Sequence, residues 1–401
     1  MAETGRIWAG VDAGKEHHHV AALDEAGRVV LSRRVANDEL ALREVIAEVT
    51  ALGAGRPPRW AIDLRDGYAA LVLALLAAGA AEIVYVPGRM VSRMTGAYRG
   101  EGKTDAKDAR IIADQARMRA DLAPLAPADE LITELRMLVS RRTDLVTDRT
   151  RVINRLRVTM VQISPALERA LDFTRTGPLT LISRYATPAA IGGAGQDQLT
   201  AWLRERGVRN APALARRAVT AADAQTVRLP GEDVAAELAA DLAREVMALS
   251  ERIGQVDERI AARFRCHRAA AVITSLPGIG VLLGAEFLVA TGGDMTAFHS
   301  ADHLAGYAGL APAPRDSGRR TGSLHRPRRY NRMLNRVFYY SAQISIQHCP
   351  DSRTFYDRKR AEGKKHNQAV LALARRRVNV MWALLRDHKP YTPSEPVIAA
   401  A

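Results

Sequence analysis

Apolar residues change period several times along the first 120 positions. Ile7 to Val11 is a short apolar run that ends at Asp12 and predicts a strand. His18 to Leu23 and Val29 to Val35 predict two more strands, joined by a turn at Asp24 to Gly27. Glu39 to Leu52 reads as a helix, Trp60 to Leu64 as a fourth strand and Tyr68 to Ala78 as a second helix. Ile83 to Val86 predicts a fifth strand, and Asp105 to Arg119 a third helix. Early hairpins imply antiparallel neighbours and later crossovers imply parallel ones, so the expectation is an α/β domain with a mixed sheet and helices on its faces.

The rest of the chain reads as all-α. Leu131, Leu135, Leu138, Leu145, Val152 and Leu156 fit a heptad seam, with Arg142 and Arg149 in two of its slots. Leu238, Leu242, Val246, Leu249, Ile253, Val256 and Ile260 make a cleaner one. The two seams serve an antiparallel hairpin or a pairing between subunits equally well. Between them, residues 174–231 hold Gly177-Pro178, Gly192-Gly193 and Pro230-Gly231 and predict broken helices and turns. The last third continues with Leu276-Pro277-Gly278-Ile279-Gly280 between two helical runs, a loop over 309–322, helices near 329–345 and 367–385, and a tail predicted to be disordered. The expected organisation is 1–125 (sheet domain), 126–262 (helical coiled coil with an insert), 263–390 (helical C-terminal domain) and 391–401 (tail).

Charge separates these parts. The 401 residues carry a formal charge of +14. Residues 1–125 hold 17 basic and 17 acidic side chains, residues 126–262 hold 19 and 18, and residues 263–401 hold 22 and 9. A genome-wide preference for Arg codons would act on all three parts, yet two are balanced. The last third is therefore read as a polyanion-binding surface, and nucleic acid is the expected partner. The longest apolar stretch, Ala69 to Ala81, is 13 residues, shorter than a membrane span needs. The N-terminus has no basic start followed by an apolar core. Two cysteines, Cys266 and Cys349, leave no disulfide framework and suit a reducing cytoplasm.

Four carboxylates are the first chemical candidates. Asp12 ends the first strand and Asp63 stands near the end of the fourth, so the two can lie side by side. Asp105 and Asp108 are three apart at a helix start and share a face. A carboxylate cluster repels itself unless a cation sits in it, and hard oxygen donors suit Mg²⁺ or Mn²⁺. Two such ions can clamp the attacking and leaving oxygens of a phosphodiester. Each acid also has a plainer reading: Asp12 as a turn residue, Asp105 as a helix N-cap. Asp66 and Asp114 are read as surface residues. His17-His18-His19 is discounted as a metal motif because alternate strand residues point to opposite faces.

This order of elements resembles the RNase H/RuvC-like nuclease fold. Gly10-Val11-Asp12-Ala13-Gly14-Lys15, Ala61-Ile62-Asp63 and Lys103-Thr104-Asp105-Ala106-Lys107-Asp108-Ala109 resemble the three acidic blocks of the DEDD transposases of the insertion sequence 110 family, to which the DNA invertase Piv is related. The family's second acid is commonly Glu, where this chain has Asp63. Leu304 to Pro312, followed by Asp316-Ser317-Gly318, is similar to the family's C-terminal transposase domain, and the resemblance implies that Ser317 is the nucleophile. A serine hydroxyl needs help to attack, and Arg315, Arg319 and Arg320 around it can hold a phosphate while charge develops. Downstream the family pattern Gly-x-Ile-Ser-Lys-x-Gly-Asn is replaced by Gly322 to Asn331, which stays basic but lacks the Lys and the second Gly. Arg328, Arg329, Arg332 and Arg336 are read as phosphate contacts. Leu276 to Gly280 resembles a helix-hairpin-helix turn in which Gly278 and Gly280 admit a DNA backbone; a plain helix–helix turn reads equally well.

The resemblance spans roughly residues 6 to 388 and implies a DNA transposase or recombinase that works as a tetramer made of dimers with a structured guide RNA. Three other readings stay open: a RuvC-like nuclease that uses water, a Piv-like invertase, and an architectural protein that uses the basic third alone.

Overall fold

The computed structural model describes all residues except 1–4, 66, 99–101, 103, 123, 126–128, 315, 317, 319–321, 326 and 394–401. Two units, residues 1–128 and 129–401, make up the chain. The boundary expected after residue 262 falls inside the second unit.

In the first unit the strands are β1 (Trp8–Asp12), β2 (His17–Leu23), β3 (Val29–Ala36), β4 (Arg59–Ile62) and β5 (Glu82–Tyr85). Helices α1 (Glu39–Leu52), α2 (Ala70–Ala78), α3 (Gly88–Met94) and α4 (Asp105–Met118) connect or follow them. The sheet order is β3-β2-β1-β4-β5. β1, β2 and β3 pair antiparallel, whereas β1–β4 and β4–β5 pair parallel. This is the expected mixed sheet. The short α3 was not expected.

Strand alternation sorts side chains between two cores. Ala9, Val11, Val20, Ala22, Trp60 and Ile62 face α1 and α2 and pack on Leu42, Val45, Val49, Val72 and Leu76. Ala61 and Val84 face the other way, onto Ile111, Ile112 and Ala116 of α4. Gly10 shares that face. A Cβ there would stand 2.2 Å from the Ala109 carbonyl oxygen and 2.4 Å from the Ala113 nitrogen, so the α4 backbone rests directly on β1. Arg59 at the start of β4 reaches the Ala116 carbonyl at 3.1 Å and ties down the far end of α4.

Among the described residues the second unit is helical apart from one small ribbon. Its elements are α5 (Glu130–Ile163), α6 (Pro165–Ala170), α7 (Thr176–Ile182), α8 (Pro188–Glu205), α9 (Ala211–Asp223), α10 (Glu232–Arg265), α11 (Ala270–Ser275), α12 (Val281–Thr291) and α13 (Ala301–Tyr307). Then come the ribbon strands β6 (Ala313–Pro314) and β7 (Leu324–His325), and α14 (Arg332–His348), α15 (Pro350–Ala361) and α16 (His366–Asp387). α5 and α10 each span 34 residues, about 50 Å.

These two long helices lie antiparallel within one chain. Glu134 pairs with Arg263, Arg142 with Asp257, and Arg149 with Ser250. The two arginines that interrupt the first seam therefore bind polar partners on α10. Most of the predicted seam is buried, but Leu238 is 54% exposed, and Ala239 and Ala243 take the inner positions at that end. The straight helix drifts off a strict heptad there. The tail also departs from expectation. The Tyr391 backbone N–H donates to Ser275 Oγ at 2.8 Å and its hydroxyl to Asp351 at 3.4 Å, so the chain stays docked past α16; residues 394–401 lie outside the described residues.

Candidate active site

β1 and β4 are parallel and adjacent, with Val11 opposite Ile62. Asp12 and Asp63 each follow by one residue, so they occupy equivalent places at neighbouring strand ends, on strands roughly 4.8 Å apart. Both alternate onto the face of Gly10 and Ala61, which α4 covers. α4 begins beside them, with Asp105 and Asp108 in its first turn. Thr104 provides the N-cap, its side chain accepting from the Lys107 N–H at 3.2 Å, so the cap role considered for Asp105 belongs to Thr104. Asp105 is exposed, and Asp108, Asp12 and Asp63 are half-buried.

Electrostatics marks Asp63. Burial raises its carboxyl pKa above the usual range, the backbone amides of Ala13 and Asp63 oppose the shift, and the Asp108 charge adds to it. Its Oδ1 is buried with no hydrogen-bond partner among the described residues. A desolvated carboxylate oxygen without a donor, flanked by further carboxylates, suits a hard divalent cation. The donors border the strand ends without enclosing them: among the described residues, no three His, Cys, Asp or Glu side chains converge closely enough to chelate an ion.

The structure adds neighbours that the sequence reading passed over. His19 stands opposite Asp12 in the β1–β2 pair, on the same face. Its ring Nε2 is 2.9 Å from Ser32 Oγ, and burial lowers its pKa, with Asp105 opposing and Arg34 reinforcing. His18 points to the opposite face, buried, and its Nδ1 accepts from the Gly14 N–H at 3.2 Å. Asp114, expected at the surface, is a half-buried clasp. It accepts from the Tyr98 hydroxyl at 2.5 Å and pairs with Arg117 at 2.7 Å, and its side chain is only 14% exposed. Burial and Asp114 push Tyr98 up to about 12. Asp66 lies outside the described residues.

The second candidate block lies in the helical unit. Ser317, Arg315, Arg319 and Arg320 lie outside the described residues. What brackets them is clear: β6 and β7 pair antiparallel with Pro314 opposite Leu324, and the Ser323 N–H donates to Asp316 at 3.1 Å. A ribbon thus closes the segment read as a plain loop. Asn331 caps α14 and donates through Nδ2 to the Tyr307 hydroxyl at 3.0 Å, and Asn335 donates to the Ala308 carbonyl at 2.8 Å. Gly309 (φ 69°) leaves no room for a side chain beside the Tyr330 ring. Arg328, Arg329 and Arg332 are exposed. Arg336 instead pairs with the buried Glu286 of α12.

The Leu276–Gly280 turn is held from inside. Gly278 has φ 80°, and a Cβ there would meet the Ser341 carbonyl oxygen at 2.5 Å. Its bare backbone serves packing on α14, while the space beside Gly280 is open. Arg377, 4% exposed, donates to the Pro277 carbonyl, to Ser341 Oγ at 2.9 Å and to Ser352 Oγ at 3.4 Å. Burial lowers its pKa to about 10, which leaves it a cation at neutral pH.

Comparison with known proteins places both blocks in one setting. A DEDD, IS110-type family model described as a transposase matches residues 9–165, which include all four acids. A second, described as the transposase IS116/IS110/IS902 family, matches residues 270–357, which include Ser317. The chain is 56% identical over 395 residues to the insertion element IS900 uncharacterized 42 kDa protein of Mycobacterium paratuberculosis, covering 98% of this chain and 99% of that protein. It is 51% identical to the insertion element IS116 uncharacterized 44.8 kDa protein of Streptomyces clavuligerus, covering 99% and 98%. A pilin gene-inverting protein of Moraxella bovis is 32% identical over 152 residues, 35% of this chain and 46% of that protein. No helix among the described residues is long and apolar enough to cross a membrane. With near-complete coverage at such identity, and family models over both candidate blocks, the chain belongs to the IS116/IS110/IS902 family of transposases.

Proposed function

We propose that the protein cuts and rejoins DNA through a serine nucleophile assisted by a metal-bound acidic site. The observation that carries this reading is the pairing of Asp12 and Asp63 at adjacent parallel strand ends, on the face where α4 presents Asp105 and Asp108. These four carboxylates would hold Mg²⁺, or Mn²⁺ in its place. When bound, the cation supplies charge stabilisation for the pentavalent phosphorus. Asp63, desolvated and with its Oδ1 lacking a donor among the described residues, is the residue most in need of it.

In this scheme Ser317 Oγ attacks the scissile phosphorus. A new O–P bond forms, one bridging P–O bond breaks, and the proton that the Ser317 hydroxyl gives up ends on the leaving strand oxygen. The phosphoserine link conserves the bond energy. A strand end from the partner DNA then attacks the same phosphorus and releases the serine, which rejoins the DNA. Arg315, Arg319 and Arg320 hold the phosphate while charge develops, and Arg328, Arg329 and Arg332 fix the DNA backbone. The acids and the serine belong to different units, so the reaction needs them brought together within a protomer or between protomers. A dimer or tetramer joined through α5 and α10, and an element-encoded guide RNA, complete the proposal.

The test is trapping on a nicked suicide DNA substrate with Mg²⁺, followed by mass spectrometry of the linked peptide. A DNA-linked peptide containing Ser317 is expected. Cutting that persists in Ser317→Ala without any adduct would instead identify a nuclease that uses water. The similarity to a pilin gene-inverting protein favours a second reading, inversion within one DNA molecule by the same chemistry. Product topology on a substrate with inverted sites separates the two.

A further inference from the structure

We infer that the helical insert between α5 and α10 is a separate nucleic-acid site, which grips a phosphodiester backbone through Arg184 and Arg206 at the Trp202 ring. This rests on reading the chain as a nucleic-acid recombinase, but on neither Ser317 nor the acids. The insert also lies between the stretches that the two family models match.

Charge is the first observation. Residues 165–231 carry nine basic and five acidic side chains, whereas α10 carries eight acidic and five basic. Counted together with α5, the region looks neutral. In the fold the acids run along the helix paired with α5, and the insert keeps a basic surplus.

Geometry is the second. Gly195 (φ 68°) kinks α8, and the stretch beyond the kink carries Trp202. The Arg206 guanidinium lies 4.1 Å from the Trp202 ring centroid, and that of Arg184 lies 5.9 Å from it. The two like charges are therefore no farther apart than those distances combined. Arg184 also lies 5.6 Å from the Tyr185 ring, which meets Trp202 edge-on at 5.3 Å. Among the described residues the Arg184 side chain has no ion pair or hydrogen bond; Arg206 donates through Nη1 to the Trp202 carbonyl at 3.1 Å, and the carboxylate paired with that same nitrogen is its exposed neighbour Glu205, at 3.5 Å. The indole N–H of Trp202 is buried without an acceptor, so no hydrogen bond accounts for the ring's position.

A guanidinium laid on an aromatic face keeps in-plane N–H groups for phosphate oxygens: those of Arg184, and in Arg206 the ones other than Nη1, which the Trp202 carbonyl and Glu205 engage. A phosphate bound between the two is attracted by both. The occupant is a nucleic acid, either DNA or a folded RNA, since the shared chemistry is the phosphate backbone.

The test uses the full-length protein. Labelled probes, a short RNA hairpin and a DNA duplex of arbitrary sequence, are titrated against wild type and R184E/R206E at several salt concentrations. The expected result is about a tenfold loss of affinity for at least one probe, with a slope of log affinity against log salt shallower by about 1.4 to 1.8. The probe affected names the source. R252E/R259E, an equal charge change on α10, should leave binding unchanged. Unchanged binding of both probes by R184E/R206E overturns the inference, and so does an equal loss in the α10 control or full competition by polyglutamate. Phenylglyoxal footprinting of wild type needs no variant: Arg184 and Arg206 should be protected by bound probe, and their undiminished modification counts against the site. Probe binding is read without any cleavage or adduct. A missing DNA adduct alone therefore bears on the proposed reaction and leaves this inference standing.

Discussion

The two candidate blocks are positioned by different physics. In the sheet unit, the acids are placed by backbone. Parallel register puts Asp12 beside Asp63, and Gly10 lets α4 lie on β1 so that Asp105 and Asp108 follow. In the helical unit, the surroundings of the serine segment are placed by side-chain tethers: Asn331 and Asn335 on the Tyr307–Ala308 turn, Arg377 on Pro277, and Glu286 on Arg336. A backbone device fails by steric overlap, whereas a tether fails by leaving a buried polar group unpaired.

The sharpest way to break this contrast is Gly10→Val. Its side chain has nowhere to go between β1 and the α4 backbone, so destabilisation of about 3 kcal/mol or more is expected, with loss of strand cutting. Urea denaturation measures the first. Arg377→Met tests the tethers. Loss of the buried donors to Pro277 and Ser341 should cost about 2–4 kcal/mol, and Arg377→Lys, which lacks the planar fork, should recover little. If the methionine variant melts like wild type, the turn does not depend on this residue. Tyr98→Phe removes one hydrogen bond to the half-buried Asp114 and should cost about 1.5–3 kcal/mol.

Smaller effects sharpen the picture. Asp63→Asn removes a desolvated charge, so thermal stability should rise by about 1 kcal/mol while DNA cutting is lost, a sign opposite to that of the other substitutions. Glu286 provides the pH test. Burial raises its carboxyl pKa, with Arg336 partly opposing. The folded state therefore holds the proton more tightly than the unfolded state does. This contribution to stability is fully present below the ordinary Glu range and is lost as pH rises through the raised value. Melting curves of wild type and Glu286→Gln should differ most in wild type's favour at acid pH, and that margin should shrink as pH increases.

Much of the sheet unit was legible because its signals are local. The apolar run that ends at Asp12 marks one strand end, the run over Trp60–Leu64 puts Asp63 near another, and the Asp105–Asp108 spacing marks one helix face. His19 was not legible, since its place opposite Asp12 depends on how the β1–β2 hairpin pairs. Asp114 reads as a surface acid on a polar helix until Tyr98, 16 residues earlier, folds over it. Arg375, Arg376 and Arg377 show the difficulty most plainly. In sequence they are one basic run. In the fold Arg375 pairs with Asp302, Arg376 lies over the Phe355 ring, and Arg377 is buried beneath the Pro277 turn.

The sequence by itself determined the period of most elements, the mixed sheet, the acids near its strand ends and the basic surplus of the last third. These follow from spacing and composition, which the chain carries residue by residue. Only the tertiary structure decided which arginine is buried, which acid is clasped, and that the neutral middle parts into an acidic helix and a basic insert. Burial and partner choice arise between segments far apart in the chain, and no local pattern encodes them.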